Sequence, residues 1–323
     1  MAATRAIGNP FRVLRPLALL TVVFLIFAAC SGGEDAPVVV QFVLPTATVD
    51  TPPGEPSPTP VPVDVILSAE SVNQGGAILV SVTGPVESGS LTFLGRNFPL
   101  TQGDRSIYAF IPVDVDDSLG VHRLHVELAL PNGSTGNWET TIEVLATEWA
   151  VDEVTFDAEQ QELLTPEIVA EENALLSTAY ATFTPEKLWN GLFQFPVLGG
   201  LTAPFGEQRA VNGAPPSGHH TGSDFGTAEG AEVITTSSGR VVMVETLEIR
   251  GNMVIVDHGG GLLSGYAHLS EVVVVAGQMI EAGEVIGKVG STGLSTGAHL
   301  HWEMSVGGVR VDPSRFVDGT NGF

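Results

Sequence analysis

Hydrophobic and polar residues alternate over much of the chain with the period of two that a β-strand requires. Six segments between residues 63 and 147 show this pattern, namely VDVILSAE, AILVSVTG, GSLTFLG, SIYAFIPVDV, VHRLHVELAL and NWETTIEVL. Turn-rich pieces such as NQGG and PNGS separate them. Short strands at regular spacing predict an immunoglobulin-like β-sandwich over residues 63–147.

A different pattern covers residues 148–190. The stretch DAEQQELLTPEIVAEENALLSTAYATFTPEKLW is rich in Glu, Ala and Leu and is interrupted by Pro166 and Pro185. Because proline disrupts a helix interior, this stretch predicts one or two helices that pack on the domain that follows. Residues 191–318 return to short, glycine-punctuated strand segments, which predict an antiparallel β-sheet domain. The sequence therefore predicts a mainly β protein with a sandwich, a short helical connector and a C-terminal sheet domain.

The first 62 residues have the composition of a targeting segment followed by a spacer. Three arginines precede the apolar run LALLTVVFLIFAA, which ends at Cys30. A basic start, a short apolar run and small residues predict a secretory signal over residues 1–30. The run is shorter than the roughly 20 residues of a spanning helix. Residues 31–62 are rich in Pro and Thr, which predicts an extended spacer.

The end of the apolar run suggests a lipid anchor. FAAC resembles the lipobox of bacterial lipoproteins, although Phe27 stands where leucine is usual. The resemblance implies lipidation of Cys30 and a position in the cell envelope, anchored to a membrane. The alternative is an ordinary signal peptide or anchor helix with an incidental cysteine. We expect mass spectrometry of the mature protein to find an acylated Cys30 at its N-terminus, and an unlipidated N-terminus would contradict this.

Composition limits the classes of partner. Hydrophobic residues make up 43 % of the chain and charged residues 15 %, so most of it is expected to fold around cores. The formal net charge of -24 argues against nucleic acid as a partner, because phosphate binding needs a basic surface. A single cysteine excludes a disulfide within the chain. The sequence leaves the oligomeric state open.

The segment GAHLHWEM predicts a strand with one polar and one apolar face. His299, His301 and Glu303 alternate with larger apolar residues and therefore share a face. Leu300 and Trp302 are expected to pack on the opposite side. For Glu303 two interpretations stand side by side: it accepts a hydrogen bond from a histidine, or it is a solvated charge on the strand.

Other histidines and an aspartate lie in two further motifs of the C-terminal domain. GHHTGSDFGT contains His220 and Asp224 four residues apart, and SGYAHLS contains His268. Imidazole and carboxylate are zinc ligands, and a catalytic zinc site has three protein ligands and one open position. His220, Asp224 and one histidine of GAHLHWEM fit that number. The two remaining histidines are then available for proton transfer or oxyanion stabilisation, which favours a hydrolase over a structural zinc site.

These motifs match a known family. HTGSD, YAHL and HLHWE, in this order, resemble the lysostaphin-type or LytM-domain zinc endopeptidases, whose pattern is H-x-x-x-D, a lone His and then H-x-H. The resemblance extends over residues 193–316. The sandwich and helical segment that precede it also look like an arrangement found in some members of the family.

The resemblance implies a role for each motif residue. It implies one Zn²⁺ per chain, bound by His220, Asp224 and His301, and catalysis by His268 and His299. It does not say which of the two catalytic histidines is the general base. Members of the family cleave peptide bonds in the stems or cross-bridges of peptidoglycan. The implied function is therefore a zinc endopeptidase that acts on peptidoglycan peptides during cell-wall remodelling.

Neighbouring residues receive lesser roles. The family spacing selects the second member of the pair His219–His220 as the ligand, so the first is expected to point away. His258 in DHGGG is expected to order a turn. From their place in the family pattern, Asn212 and Tyr266 are expected to line the substrate groove.

Three other functions remain open at this stage. Some relatives have lost zinc ligands and activate other enzymes, so the chain is alternatively a silent activator or scaffold with a cell-wall hydrolase or divisome partner. A second alternative is a wall-binding lipoprotein whose sandwich does the main work. The third is a secreted peptidase that digests ordinary proteins at glycine-rich sites. The complete set of motif residues favours the peptidoglycan endopeptidase.

Overall fold

The computed structural model describes residues 38–42 and 62–319, and this part of the chain is mainly β. The sandwich strands are β1 Val38–Phe42, β2 Val63–Leu67, β3 Ser71–Asn73, β4 Ala77–Thr83, β5 Ser88–Phe93, β6 Arg96–Pro99, β7 Thr101–Gln102, β8 Ile107–Pro112, β9 Gly120–Ala129 and β10 Thr135–Leu145. The connector contains β11 Val151–Val154, α1 Ala158–Glu162 and α2 Pro166–Tyr180. The C-terminal elements are β12 Gly200–Ala203, β13 Gln208–Val211, β14 Ser217–His219, β15 Ser223–Gly226, β16 Glu232–Ile234, β17 Gly239–Leu247, β18 Gly251–Gly259, β19 Leu262–Val272, β20 Met279–Ile280, β21 Val285–Val289, β22 His299–Val306, β23 Val309–Val311 and a 3-10 helix Pro313–Phe316.

The sandwich consists of two five-stranded sheets. Their strand orders are β1-β2-β4-β8-β7 and β3-β10-β9-β5-β6. Alternate side chains of both sheets form one core, as with Val63 and Val65 of β2 against Leu124 and Val126 of β9. The β-sandwich predicted from the alternation is confirmed, and each of the six predicted segments forms a strand. The strands β3, β6 and β7 are only two to four residues long and show too little alternation to be predicted.

The N-terminal predictions are only partly covered. Within the predicted spacer, β1 pairs antiparallel with β2, from Val38 opposite Leu67 to Phe42 opposite Val63. The run VVVQF is β-branched and free of proline, which favours a strand over an extended spacer at these five residues. The signal peptide, Cys30 and the rest of the spacer lie outside the described residues. In the described part of the chain, no helix has both the length and the apolar character that crossing a bilayer requires.

The connector contains two helices, as predicted. Asp157 caps α1 by accepting a hydrogen bond from the Gln160 amide, and the Gln160 side chain accepts one from the Asp157 amide. Pro166 occupies the start of α2, where its missing N–H costs nothing, and Thr165 caps that helix. The connector also contributes β11, which pairs parallel with β13. The sequence does not predict β11, because VDEV is a short, polar segment.

The C-terminal domain is built on a ten-stranded sheet, in which seven strands follow the path β12-β15-β22-β19-β18-β17-β20. The other three lie off this path: β21 pairs with β19, β16 with β21 and β23 with β22. Leu300, Trp302 and Met304 of β22 are fully buried on one face, which confirms the predicted packing face. Helix α2 packs on the opposite face, where Leu176 and Tyr180 join a core that includes strand residues such as Met253, Leu263 and Ala267. Ala267 lies directly opposite His301, so the connector helix occupies the polar face of β22.

The sandwich and the C-terminal domain share an aromatic core. Phe110 of the sandwich lies 6.0 Å from Phe316, and Phe193 lies 5.8 Å from Phe316, measured between ring centroids. Trp189, at the end of the connector, contacts Tyr108, Phe110 and Phe193. Tyr108 and Phe110 of the sandwich thus belong to the same hydrophobic core as the packing face of the C-terminal sheet.

Candidate metal centre

Two neighbouring strands bring three predicted zinc ligands together. Asp224 on β15 lies directly opposite His301 on β22, and His220 precedes β15. A Cβ at Gly222 would lie 2.4 Å from the Trp302 carbonyl oxygen, so glycine is required for this close approach. The Nδ1 atom of His301 lies 2.8 Å from Asp224 Oδ1 and 3.0 Å from His220 Nε2. The His220 Nε2 atom lies 3.1 Å from the same carboxylate oxygen.

The hydrogen bonds on the far side of each ring define which atoms face the centre. His220 Nδ1 donates to the Pro204 carbonyl oxygen at 3.0 Å, and His301 Nε2 donates to Glu303 Oε1 at 2.9 Å. The other nitrogen of each ring faces Asp224 Oδ1. It donates to that oxygen when it carries a proton, and it can bind a metal when it does not. Tetrahedral zinc with bonds of about 2.05 Å separates its ligand atoms by about 3.3 Å. Three buried lone-pair donors within 2.8–3.1 Å of one another fit that ion.

The electrostatics of this cluster also favour a cation. Burial alone would raise the pKa of Asp224, but hydrogen bonds from His220 and His301 hold it well below its usual range. Burial would lower the pKa of His301, but Asp224 and Glu303 raise it above the ordinary value. Burial lowers the pKa of His220, which keeps that imidazole neutral. Arg209 donates to the second carboxylate oxygen of Asp224 at 3.2 Å and fixes its rotation, a contact that no local motif predicts.

His268 reaches the centre through a β-bulge in β19. Tyr266 pairs with Val254 and Leu269 with Asn252, so two residues of β19 lie opposite one residue of β18. Tyr266 and Leu269 consequently share a core although they are three residues apart, and His268 lies on the other face with Ala267. His268 has a φ of 60°, a left-handed conformation that is uncommon for a residue with a side chain. The bulge thus directs an imidazole towards the predicted ligands.

The two predicted catalytic histidines lie side by side. The ring centroids of His268 and His299 are 4.7 Å apart, and His268 lies 6.0 Å from His301. His268 Nδ1 donates to the Thr292 carbonyl oxygen and His299 Nδ1 to the Gly297 carbonyl oxygen, both at 2.8 Å. These bonds leave both Nε2 atoms free to accept a proton. Burial, together with the neighbouring imidazoles, lowers the pKa of His268 to about 3, so this ring is neutral at pH 7.

The glycine-rich segment before β22 supports these rings. Gly293 has a φ of 71°, and a Cβ there would lie 2.3 Å from the Gly251 amide nitrogen. Both the left-handed conformation and the close approach require a glycine at this position. Ser295 in the same segment lies 3.3 Å from His299 Nδ1 and accepts, through its carbonyl, a hydrogen bond from Gln160 of α1.

Glu303 is not a solvated charge. Its side chain is fully buried on the polar face of β22, and its Oε1 accepts from His301 and from Thr221, the latter at 2.8 Å. Arg250 and Arg310 hold its pKa well below the usual range, against the opposing effect of burial. Of the two interpretations from sequence, the hydrogen-bond acceptor is confirmed.

Two neighbouring histidines lie outside the cluster. His219 points away, as expected, and its Nδ1 donates to the Gly206 carbonyl oxygen at 2.7 Å. His258 does not order a turn, because it is fully buried within β18. Its ring bonds the Ser238 carbonyl oxygen and the Ser264 hydroxyl, and burial lowers its pKa to about 4. His258 is therefore a neutral core residue.

Both expected groove residues make structural hydrogen bonds. Tyr266 is fully buried on the packing face, where its hydroxyl bonds the Thr236 amide and Ser264, so it does not line a groove. Asn212 exchanges two hydrogen bonds with the backbone of Phe156 and thereby fastens the connector. The expectation for Tyr266 is therefore wrong, because position in the motif pattern does not reveal the direction of a side chain.

Comparison with known proteins points to one family. Residues 218–313 match the family model described as Peptidase family M23. Peptidoglycan DD-endopeptidase ShyA of Vibrio cholerae serotype O1 is 42 % identical over 93 residues, which cover 29 % of this chain and 22 % of ShyA. Murein hydrolase activator NlpD of Escherichia coli K12 is 33 % identical over 137 residues, which cover 42 % of this chain and 33 % of NlpD. The chain thus spans a third or less of the length of these relatives.

A solved structure extends the similarity beyond the matched domain. A crystal structure from Pseudomonas aeruginosa, described as a peptidase M23, has a TM-score of 0.60 and 28 % identity. The match covers 76 % of this chain and 94 % of that chain. It therefore includes elements that precede the residues of the family model. In its C-terminal part, the chain belongs to peptidase family M23, of the lysostaphin or LytM type.

Proposed function

We propose that this protein is a zinc-dependent endopeptidase that hydrolyses peptide bonds in peptidoglycan stems or cross-bridges. The observation that carries the proposal is the convergence of three buried ligand atoms with two histidines whose Nε2 atoms are free. ShyA and the DD-carboxypeptidase/endopeptidase Mpg of Neisseria meningitidis are 42 % and 40 % identical over the same domain, which supports this class of substrate.

The residues of the centre divide the chemistry between them. His220, Asp224 and His301 would hold zinc, which when bound supplies a Lewis acid for the scissile carbonyl and lowers the pKa of water. The Nδ1 atom of His268 is engaged by the Thr292 carbonyl oxygen, so its Nε2 is available to accept a proton from the attacking water. His299 offers the same atom at the more exposed edge of the centre. Once protonated, either imidazole can donate to the oxyanion or to the leaving nitrogen.

A non-enzymatic activator is the second candidate function. The similarity to NlpD, named as a murein hydrolase activator, favours it. The complete set of ligand and histidine side chains in one cluster favours the enzyme instead, because an activator has no need of them. We also propose that the protein acts outside the cytoplasm, anchored through Cys30, on the basis of the signal and lipobox motifs.

Digestion of purified peptidoglycan tests the proposed function. We expect the zinc-loaded protein to release peptides cut at an amide bond, a chelator to stop the release and added zinc to restore it. Mass spectrometry of the products identifies the bond. A glycine-rich protein substrate, digested in parallel, should be cut far more slowly. Zinc-loaded protein that leaves peptidoglycan intact but stimulates another wall hydrolase would support the activator and contradict the enzyme.

A further inference from the structure

We infer that Tyr180, on connector helix α2, is a positioning residue for the metal centre and acts on His301 through Glu303. The inference rests on the proposed function, because it takes His301 to be a zinc ligand. By this inference the connector helps to orient a metal ligand, although it lies outside residues 218–313, which the family model matches.

Glu303 forms hydrogen bonds with both helix α2 and the metal centre. Its Oε1 accepts from His301 Nε2 at 2.9 Å, and its Oε2 accepts from the Tyr180 hydroxyl at 2.8 Å. Both Glu303 and Tyr180 are fully buried. Since one carboxylate is planar and rigid, the bond at Oε2 fixes the direction in which Oε1 meets the imidazole. That bond in turn keeps the proton on His301 Nε2 and leaves Nδ1 free for the metal.

The sheet leaves space for this contact at one position. Gly265 on β19 lies directly opposite Glu303 on β22. A Cβ at Gly265 would lie 2.0 Å from the Tyr180 hydroxyl oxygen. Glycine at this position therefore allows the tyrosine to reach across β19 to the carboxylate. The guanidinium of Arg310 lies 3.7 Å from the Tyr180 ring centroid and donates to Glu303 Oε2 at 3.3 Å, so it holds both partners.

A second contact joins α2 to the same carboxylate. Glu172, which is only 4 % exposed, accepts hydrogen bonds from the backbone amides of Ile249 at 2.8 Å and Arg250 at 3.1 Å. The guanidinium of Arg250 then donates to Glu303 Oε1 at 2.9 Å. Two buried carboxylates thus enclose one arginine. Helix α2 is therefore linked to Glu303 at two points about two turns apart, directly through Tyr180 and indirectly through Glu172 and Arg250.

Zinc affinity of the full-length chain tests this inference. Tyr180→Phe removes only the hydroxyl and keeps the ring against Arg310 and the core. Competition with a chromogenic chelator should show that the Kd for Zn²⁺ rises about 10-fold. This is the lower end of the loss in affinity that is usual when a hydrogen-bond partner of a metal ligand is altered. Glu303→Gln, which alters the direct partner of His301, should weaken binding by about 10- to 100-fold.

Tyr266→Phe is the matched control. It also removes a buried tyrosine hydroxyl from the same sheet, but that hydroxyl bonds Thr236 and Ser264 on the packing face. We expect its Kd for Zn²⁺ to equal that of the unaltered chain, while thermal unfolding in chelator reports the general cost of each substitution. If Tyr180→Phe does not fold, Glu172→Gln, which weakens the second contact, is expected to raise the Kd in its place.

The outcomes separate the inference from the proposed function. An unaltered chain that binds zinc tightly, with the same Kd for Tyr180→Phe, would overturn the inference and leave the proposed function standing. Equal weakening by Tyr180→Phe and Tyr266→Phe would also overturn it, because the effect would then be one of general stability. An unaltered chain that binds no zinc would overturn both.

Discussion

His301→Ala is expected to abolish zinc binding and peptide-bond hydrolysis together. The substitution removes the Nδ1 atom that lies 2.8 Å from Asp224 and 3.0 Å from His220, leaving two of three donors. It also leaves Glu303 buried without the imidazole that it orients. Zinc content by mass spectrometry should fall from about one ion per chain to near zero, as expected for a three-ligand site. Release of peptides from peptidoglycan should fall below detection.

His219→Ala provides the control for that experiment. The substitution removes a histidine next to the predicted ligand His220, but the ring of His219 bonds the Gly206 carbonyl oxygen and faces away from the centre. This variant should retain zinc and turnover. A His301→Ala protein that still carried one tightly bound zinc ion would show that the metal, if present, is held by other residues.

His299→Ala should separate metal binding from catalysis. The Nε2 atom of His299 lies 3.8 Å from Asp224 Oδ1, outside the compact set of three donors, and its Nδ1 is engaged by the Gly297 carbonyl oxygen. Zinc content should therefore stay near that of the unaltered protein. Turnover should fall about 10²- to 10⁴-fold, which is the usual contribution of a positioned acid or base.

The same measurements on His268→Ala complete the comparison. His268 is buried and its backbone is held in a left-handed conformation, so this variant also reports on the strand. We expect it to lose turnover as well. Full activity in His299→Ala would contradict the role given to that residue and leave His268 as the sole candidate for proton transfer.

Much of the fold follows from local patterns. Period-two alternation predicts the six principal sandwich strands and β22, because one face of each is buried and the other is not. Proline positions and helix formers predict the two connector helices. The short, polar strand β11 escapes prediction, since its pairing with β13 is decided by tertiary contacts rather than by its own four residues. The strand β1 escapes prediction because its β-branched run lies within a stretch whose overall composition is that of a spacer.

The sequence predicted which residues form the candidate site but not the backbone features that position them. Alternation explains why His299, His301 and Glu303 share a face, and strand pairing then adds Asp224. No local pattern gives the left-handed conformation of His268, because the bulge arises from the register of β18 against β19.

The sequence also does not predict the buried hydrogen-bond network that links α2 to Glu303. Tyr180 and Glu303 are 123 positions apart, and Arg250 and Glu172 are 78 apart. Buried polar groups of this kind are paired through the folded structure, so their partners cannot be found by spacing.

Because of the bulge in β19, the number of residues between Tyr266 and Leu269 matters as much as their identity. Between Tyr266 and Leu269, both on the hydrophobic side, a regular strand has room for one outward residue, whereas this chain places two there. A relative shorter by one residue would keep its interior yet lose either the small residue opposite His301 or the imidazole beside His299. When distant sequences are aligned, a single gap at this point therefore separates chains that can hold both of the proposed catalytic histidines from chains that cannot.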